Sequence, residues 1–241
     1  TDRYEWKDGW AKDGFWRSYY VYLSKNLHEV EAMLPDHPEY NNMYQVMRII
    51  SAMGAARTTD CFGDVPYTEA GQGIIEPKYD TQKDIYYDIF KELTEAVTVL
   101  KSNNANQEAY GSEDILFGGD LTKWIKLANS LRLRYALRLS FIDAEKAKAE
   151  GEAALKENLM SSNDDNAGIK NAEANAGNSL WTISFWNEFR ASKTMIDIML
   201  GESAVADPRL PLWFSQTQGY AYGTSEVQYR GVPNGLPSSE L

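Results

Sequence analysis

The strongest apolar pattern in the chain is helical and lies between Asp120 and Phe141. Large apolar residues recur there at spacings of three and four, which places them on one stripe of a helix. These residues are Leu121, Trp124, Ile125, Ala128, Leu131, Tyr135 and Leu139. Asp120 stands where an N-terminal cap is needed. We therefore expect this stretch to be the central helix, with its stripe facing a core.

Three arginines interrupt the second half of this central helix. They are Arg132, Arg134 and Arg138. Apolar residues also lie on the other sides of this half, so we expect it to be packed nearly all round, with the arginines embedded in it. Leaving one buried guanidinium unpaired costs on the order of 3–5 kcal/mol, so acidic side chains or carbonyl groups should meet them.

The same periodicity predicts five further helices. They run from Trp10 to Leu34, from about Glu39 to Thr59, from a Thr81 cap to about Asn103, onward from Asp143, and from Ser192 to Leu200. Residues 180–189 are aromatic and β-prone, and residues 207–241 are expected to form loops with short strands. The predicted fold class is therefore mainly α, with irregular loops and a few short strands.

A polar connection follows Leu159. Residues 161–179 are rich in Asn and Gly and have almost no large side chains. We expect a helical part over residues 1–160 and a loop-rich part with a short helix over residues 161–241, within a single domain. Because Thr1 is not an initiator methionine, we also expect the chain to be a fragment of something longer.

Two of the predicted helices resemble a tetratricopeptide unit. In the helix that begins at Asp143, small residues recur at offsets of four and three, as in the second helix of such a unit. They are Ala147, Gly151 and Ala154. Trp124 with Leu127 and Ala128 resembles the first helix. The spacing between the two patterns exceeds the repeat consensus by about seven residues, so we expect a helix pair with lengthened helices.

Composition and charge narrow the classes of function. The chain has 241 residues, of which 43% are hydrophobic and 12% aromatic, enough for a sizeable core. Its 24 basic and 35 acidic residues give a net charge of −11, which disfavours binding to nucleic acid or anionic lipid. One cysteine and two histidines argue against a disulfide or a Cys/His metal site. No residue pattern indicates a cofactor or a metal.

Carboxylates in the loop after the second helix are the first candidates for chemistry. Asp60 and Asp64 lie close together in sequence, beside a predicted helix end. Loop carboxylates near arginine-bearing helices are more often structural than catalytic. We therefore expect Asp60 or Asp64 to form an ion pair with Arg134 or Arg138.

No catalytic constellation stands out elsewhere. Asp164 and Asp165 lie in the polar connection, but their spacing does not match a calcium loop, so we expect a solvated turn. The chain has no phosphate-binding glycine loop and no nucleophile elbow. We predict no catalytic residue.

Aromatic residues are the more informative surplus. Sugar rings bind by laying C–H faces on flat side chains, while their hydroxyls bond to polar neighbours. Aromatics on the helical stripes are expected to be core. Aromatics outside regular patterns are better binding candidates, namely Trp6, Trp10, Trp181, Trp186, Trp213, Tyr220 and Tyr222.

Four stretches, in order, resemble the SusD/RagB family of surface glycan-binding lipoproteins from Bacteroidetes-type bacteria. They are RTTDCFGDVPYTEAGQG from Arg57, YDTQKDIYYDIFKELTEAV from Tyr79, GGDLTKWIKLANSLRLRYALR from Gly118 and DPRLPLWF from Asp207. The resemblance implies a SusD-like α-α superhelix of tetratricopeptide-like pairs. It also implies a lipid anchor at the outer face of the outer membrane, although this chain lacks the N-terminal segment that would carry it.

The resemblance further implies a non-catalytic protein that captures glycans, oligosaccharides or related nutrients and delivers them to a SusC-like TonB-dependent transporter. In the family, the glycan site is an aromatic cluster on variable loops, so no motif transfers it residue by residue. The best candidates here are Trp6, Trp10, Trp186 and Tyr222, with Asn187 and Arg190 as hydrogen-bonding neighbours. Two alternatives stay open at this point: a glycoside hydrolase of helical fold, and a peptide-binding tetratricopeptide-like scaffold.

Overall fold

The computed structural model describes residues 12–102, 106–169, 190–201 and 205–235. These residues form two compact units. The helical unit comprises residues 12–102 and 106–169, and the smaller unit comprises residues 190–201 and 205–235. Helices dominate the described residues, whose only regular sheet is one short hairpin, so the predicted α class is confirmed.

The first helical segment is less regular than its sequence pattern indicates. Residues Lys12–Trp16 and Ser18–Ser24 form wide π-helical turns, and regular α-helix α1 spans only Lys25–Met33. This segment packs closely on the next helix at Gly54. A Cβ atom there would lie 2.6 Å from Leu23 Cδ2 and 3.0 Å from Tyr19 Cδ2, so a larger residue would have to displace the Leu23 side chain.

Two long helices follow, joined by a hairpin. Helix α2 spans Asn41–Phe62 and α3 spans Gln82–Lys101, with the Thr81 hydroxyl accepting the Asp84 N–H as predicted for a cap. Strands β1, Val65–Pro66, and β2, Tyr79–Asp80, pair antiparallel with Val65 opposite Asp80. The Asp80 carboxylate accepts the N–H groups of Tyr67 and Thr68 at 3.0 and 2.8 Å, which fixes the loop between the strands.

The predicted central helix is α4, Leu121–Arg138, and α5 spans Ala144–Ala154. Asp120 and Asp143 cap them by accepting backbone N–H groups of the first turn. The two helices pack closely where the sequence predicts it: a Cβ atom at Gly151 would lie 3.7 Å from Ala136 Cβ, within ordinary van der Waals contact. The bonds that cap α4 and α5 therefore fix the starts of a close-packed pair.

One continuous core runs through the helical unit. Its members from α2, α3 and α4 include Ile49, Ile85, Ile89, Phe90, Leu93, Trp124, Ala128 and Tyr135. Trp124 is anchored by its indole N–H, which donates to Asp114 Oδ2 at 2.7 Å. Asp114 also accepts the N–H groups of residues 116, 117 and 119, so one carboxylate organises the approach to α4.

The expectation that all three arginines of α4 are embedded is wrong. Arg134 and Arg138 are exposed, and Leu137 between them is also exposed. Only Arg132 is largely enclosed, and its Nη2 lies 2.5 Å from Glu150 Oε2 of α5. The physical reason is that the C-terminal half of α4 has one packed face and one open face, and the periodicity cannot tell which polar positions a neighbour covers.

Asp165 also departs from expectation. It lies in a short 3-10 helix, Asn163–Asp165, and is only 4% exposed rather than solvated. Its Oδ1 accepts from Lys126 Nζ of α4 at 2.8 Å, and its Oδ2 accepts the Ser161 N–H at 2.9 Å. The bond from Lys126 lowers the Asp165 pKa to about 2. Asp165 therefore ties the end of the helical unit to the central helix.

The smaller unit contains more helix than the sequence indicates. Helix α6, Lys193–Leu200, lies where a helix is predicted; Ser192 caps it and Gly201, at φ +87°, ends it. Two further short helices, α7 at Leu210–Trp213 and α8 at Gln218–Ala221, stand where only loops and short strands are expected. A single bridge between Ser192 and Val232 is the only strand-like pairing in residues 190–201 and 205–235. These one-turn helices are too short to leave a periodic pattern in the sequence.

Candidate functional site

Three aromatic side chains are exposed on the described surface of the smaller unit. Trp213 ends α7 and is 54% exposed, and Tyr222 follows α8 and is 79% exposed. Tyr220 of α8 is also exposed. In contrast, the buried apolar residues of this unit are Ile196, Met199 and Leu210, with Phe214 packed against them. Trp213 thus projects outward between two residues, Leu210 and Phe214, that hold α7 to its core.

The Trp213 ring lies against the guanidinium of Arg209, which is itself paired with Asp207. The Arg209 guanidinium carbon lies 4.6 Å from the centroid of the indole ring. Asp207 holds that guanidinium in place, with 2.9 Å between Arg209 Nε and Asp207 Oδ1 and 2.5 Å between Nη2 and Oδ2. Arg209 lowers the Asp207 pKa to about 2, so the carboxylate is charged at neutral pH. The DPRLPLW sequence therefore produces a tryptophan whose ring is paired with a fixed cation.

Asp207 also joins this arrangement to α6. Its backbone N–H donates to the Met199 carbonyl at 2.8 Å, and its carboxylate accepts the Arg209 backbone N–H at 2.9 Å. These bonds fix the direction of the chain at the start of α7. The position of Trp213 therefore depends on a hydrogen-bonded turn rather than on a free loop.

Tyr220 and Tyr222 lie in and just after α8, in a second segment whose backbone is fixed by local hydrogen bonds. The Thr217 hydroxyl caps α8 by accepting the Tyr220 N–H at 3.3 Å, and the Thr217 N–H donates to the Gln228 carbonyl at 2.9 Å. The Gly219 carbonyl accepts two N–H groups, those of Thr224 and Ser225. The tyrosines are consequently exposed side chains on a backbone whose hydrogen bonds are satisfied locally.

The residues predicted as ligand contacts fall into two groups. Tyr222 and Arg190 are both exposed in the smaller unit. The other four, Trp6, Trp10, Trp186 and Asn187, lie outside the described residues. The pairing of Arg209 with Trp213 has no signature in the hydrophobic pattern, although the Asp-Pro-Arg turn sequence is a local signal for it.

Of the four residues predicted to form structural ion pairs, the structure brings Asp60 and Arg138 together. Arg138 Nε lies 3.0 Å from Asp60 Oδ1, and Nη2 lies 3.0 Å from Oδ2. Tyr86 also donates its hydroxyl to Asp60 at 2.7 Å. Asp64 instead accepts the Gln82 N–H at 2.9 Å, and Arg134 has no ion pair among the described residues.

The electrostatics of the described carboxyl groups do not favour acid catalysis. A general acid of a glycosidase needs a raised pKa. The described carboxyl groups whose pKa is shifted are all shifted downward, by hydrogen bonds or by nearby cations. Among the described ranges, no cluster of three or more His, Cys, Asp or Glu side chains is arranged to hold a metal ion. The described helices also include none that is both long and apolar enough to span a bilayer.

Comparison with known proteins identifies the family of this chain. Residues 1–241 match the family SusD-like_2, described as starch-binding and associating with the outer membrane. The chain belongs to the SusD-like family. A search of curated protein sequences finds no match.

Solved SusD-like structures share the fold. A structure titled as a chitin-binding protein is 33% identical with a TM-score of 0.80, and the match covers 97% of this chain and 50% of that one. A SusD homologue from Bacteroides vulgatus is 26% identical with a TM-score of 0.81, covering 98% and 48%. A chitin-binding SusD homologue from Flavobacterium johnsoniae is 30% identical with a TM-score of 0.77, covering 92% and 45%. The chain therefore spans about half the length of the solved relatives it matches.

Proposed function

We propose that this SusD-like chain is part of a non-catalytic protein that binds oligosaccharides at the cell surface. In this proposal the protein is an outward-facing lipoprotein of the outer membrane, and its partner is a SusC-like TonB-dependent transporter to which it delivers the glycan. In this proposal both units belong to one SusD-like domain.

The observation that carries the proposal is the set of exposed aromatics of the smaller unit, in a family described as starch-binding. Trp213 and Tyr222 offer flat apolar faces, and Arg209 and Asp207 offer a fixed donor and acceptor beside one of them. Pyranose rings have apolar C–H faces and polar edges, so they suit such a surface. The titles of two matched relatives name chitin as their ligand, which supports a glycan as the ligand class.

Calorimetric titration with maltoheptaose and with chitotetraose tests this proposal. We expect one of these glycans to bind, and Tyr222→Ala and Trp213→Ala to weaken binding about tenfold each, equivalent to about 1.4 kcal/mol. Alanine variants of Trp6, Trp10, Trp186, Asn187 and Arg190 test the remaining predicted contacts in the same way. Tyr79→Ala is the matched control, because Tyr79 is an exposed tyrosine of the helical unit.

Other outcomes would overturn the proposal. Release of reducing sugar that disappears when one carboxylate is replaced would make the protein a glycoside hydrolase. Binding to a peptide library with no response to any glycan would favour the tetratricopeptide-like scaffold. Wild-type affinity in both Trp213→Ala and Tyr222→Ala would remove the smaller unit from the site.

A further inference from the structure

A cleft of about 670 Å³ opens in the helical unit, away from the aromatics of the smaller unit in sequence. Residues from the end of α2, the start of α3 and the turn between α4 and α5 line it. Small-molecule sites enclose about 300–1,000 Å³, so the cleft is of a size to hold a ligand. None of the functions described above uses it.

The apolar part of the cleft consists of Leu139, Ile142 and the rings of Tyr86 and Tyr87. Leu139 and Tyr86 are buried and form its base. Ile142 lies in the α4–α5 turn and is 82% exposed, although it is a large aliphatic residue. Tyr87 is partly exposed on α3. The cleft thus presents an aliphatic side chain and an aromatic ring that solvent reaches.

A fixed hydrogen-bond acceptor stands beside Tyr87. The Tyr87 hydroxyl donates to Asp143 Oδ2, and the other carboxylate oxygen accepts the Lys146 N–H at 3.1 Å. The bond from Tyr87, aided by that from Lys146, lowers the Asp143 pKa, so this carboxylate is ionised at neutral pH. A carboxylate has about four lone-pair sites, so Asp143 can accept further hydrogen bonds from a ligand.

A flexible donor faces the same ring. Lys83 Nζ lies 5.4 Å from the centroid of the Tyr87 ring. Within the described ranges Lys83 has no carboxylate within 4 Å, whereas Lys146, which also approaches the ring, is engaged by Glu150 at 2.6 Å. Lys83 therefore retains three N–H donors for a ligand.

The charges at the cleft balance. Arg138 is neutralised by Asp60 in a two-point contact at 3.0 Å, and the positive Lys83 is matched by the negative Asp143 across Tyr87. A phosphate or a polycation would find no net opposite charge there. A neutral ligand with adjacent hydroxyl groups fits better, because one hydroxyl can donate to Asp143 while its neighbour accepts from Lys83.

We propose that this cleft is a second saccharide subsite, which holds one or two neutral pyranose rings against Ile142 and Tyr87. Asp143 and Lys83 bind the ring hydroxyls, and Arg138 borders the site. The proposal rests on the proposed function for its ligand class, but it places the contact in the helical unit. Glycan binding at the cleft would then not require the aromatics of the smaller unit.

Isoleucine methyl NMR with maltoheptaose and chitotetraose tests the subsite directly. The δ1 methyl signal of Ile142 should shift on titration, and it should still shift in a Trp213→Ala/Tyr222→Ala protein. Ile75 is the matched reporter, since it is 96% exposed in the β1–β2 loop and its signal should stay unchanged. An unmoved Ile142 signal at glycan saturation would overturn the subsite.

Replacements at the cleft then identify the contacts. Lys83→Met and Tyr87→Ala should each raise about tenfold the glycan concentration that half-saturates the Ile142 shift. A loss of this size is expected when a contact residue is truncated. Lys148→Met is the control, because Lys148 is an exposed lysine of α5 that does not line the cleft. Melting curves check that each variant folds, and Tyr87→Leu, which also removes the flat ring, replaces Tyr87→Ala if the latter does not.

The two proposals fail separately. If neither glycan binds the wild-type protein by calorimetry, the proposed function is wrong and the subsite with it. If a glycan binds but Ile142 does not shift and Lys83→Met has wild-type affinity, only the subsite is wrong. A shift of Ile142 that Lys83→Met and Tyr87→Ala leave unaltered would likewise remove the assigned contacts.

Discussion

In the helical unit Trp124 and Tyr86 are buried and hydrogen-bonded to carboxylates, whereas in the smaller unit Trp213 and Tyr222 lie at the surface. The helical unit has a continuous core drawn from α2, α3 and α4, and the described part of the smaller unit buries only Ile196, Met199 and Leu210. Trp124 and Tyr86 therefore stabilise the helical unit, whereas Trp213 and Tyr222 remain available for contact. The high aromatic content of the sequence therefore includes both core residues and candidate binding residues.

Trp124→Ala should give the largest effect that this contrast predicts. The residue is fully enclosed and also bonds to the buried Asp114, so its removal should cost about 3–5 kcal/mol of unfolding free energy. Trp213→Ala should change the same quantity by less than about 1 kcal/mol, because half of that side chain is exposed. Urea denaturation measures both, and similar losses in the two variants would contradict the contrast.

Ile196→Ala should have the next largest effect, within the smaller unit. Ile196 is buried and its replacement should cost about 2 kcal/mol, at the low end for such substitutions, because a small cluster can collapse around the gap. Ile198 on the same helix is exposed, so Ile198→Ala should stay within about 0.5 kcal/mol. Amide exchange across α6 measures the difference. Equal exchange rates in the two variants would show that this cluster is not a core.

The arginines of α4 should rank by enclosure. Arg132→Met should cost roughly 1.5–3 kcal/mol, because it removes charged hydrogen bonds to Glu150. Arg138→Met removes an exposed ion pair and should cost under about 1 kcal/mol, and Arg134→Met should stay within about 0.5 kcal/mol. Thermal melting of the three variants gives the order. A loss at Arg134 as large as that at Arg132 would restore the idea that the helix is enclosed all round.

Acid should weaken one tie of the helical unit selectively. The folded pKa of Asp165 is about 2, below its value of about 3.9 in an unfolded chain. A carboxyl group with a lowered folded pKa stabilises the fold above its unfolded pKa and loses that contribution as the pH falls toward its folded pKa. The stability advantage of the wild type over Asp165→Asn should therefore be constant above about pH 5 and shrink between about pH 4 and 2. An advantage that persists at pH 2 would exclude this origin.

Local signals in the sequence predict the helix starts well. Thr81 and Asp120 cap their helices as predicted, and Asp143 and Ser192, where two further helices are predicted to start, cap those helices. Such signals are readable because capping depends on residues within one turn. The enclosure of Asp165 could not be predicted in this way. Its partner Lys126 is 39 residues away, and only the packing of the chain end on α4 joins them.

The two candidate sites also differ in how far the sequence predicts them. Tyr222 lies outside any periodic pattern, which is why the sequence singles it out, and it is exposed in the structure. The cleft of the helical unit leaves no such signal. Asp60, Lys83 and Asp143 come from three separate segments, and each looks locally like a helix-end residue. Their common location follows from the tertiary packing of α2, α3 and α4.

The backbone amide that donates to Asp143 can report whether the cleft is occupied. The same carboxylate accepts the Lys146 N–H at the start of α5 and the hydroxyl of Tyr87 from α3. A ligand hydroxyl that bonds to this carboxylate would share it with the Lys146 amide and weaken that hydrogen bond. Occupancy of the cleft would then be recorded as faster hydrogen exchange at the first turn of α5, some distance along the chain from the aromatic residue that the ligand touches.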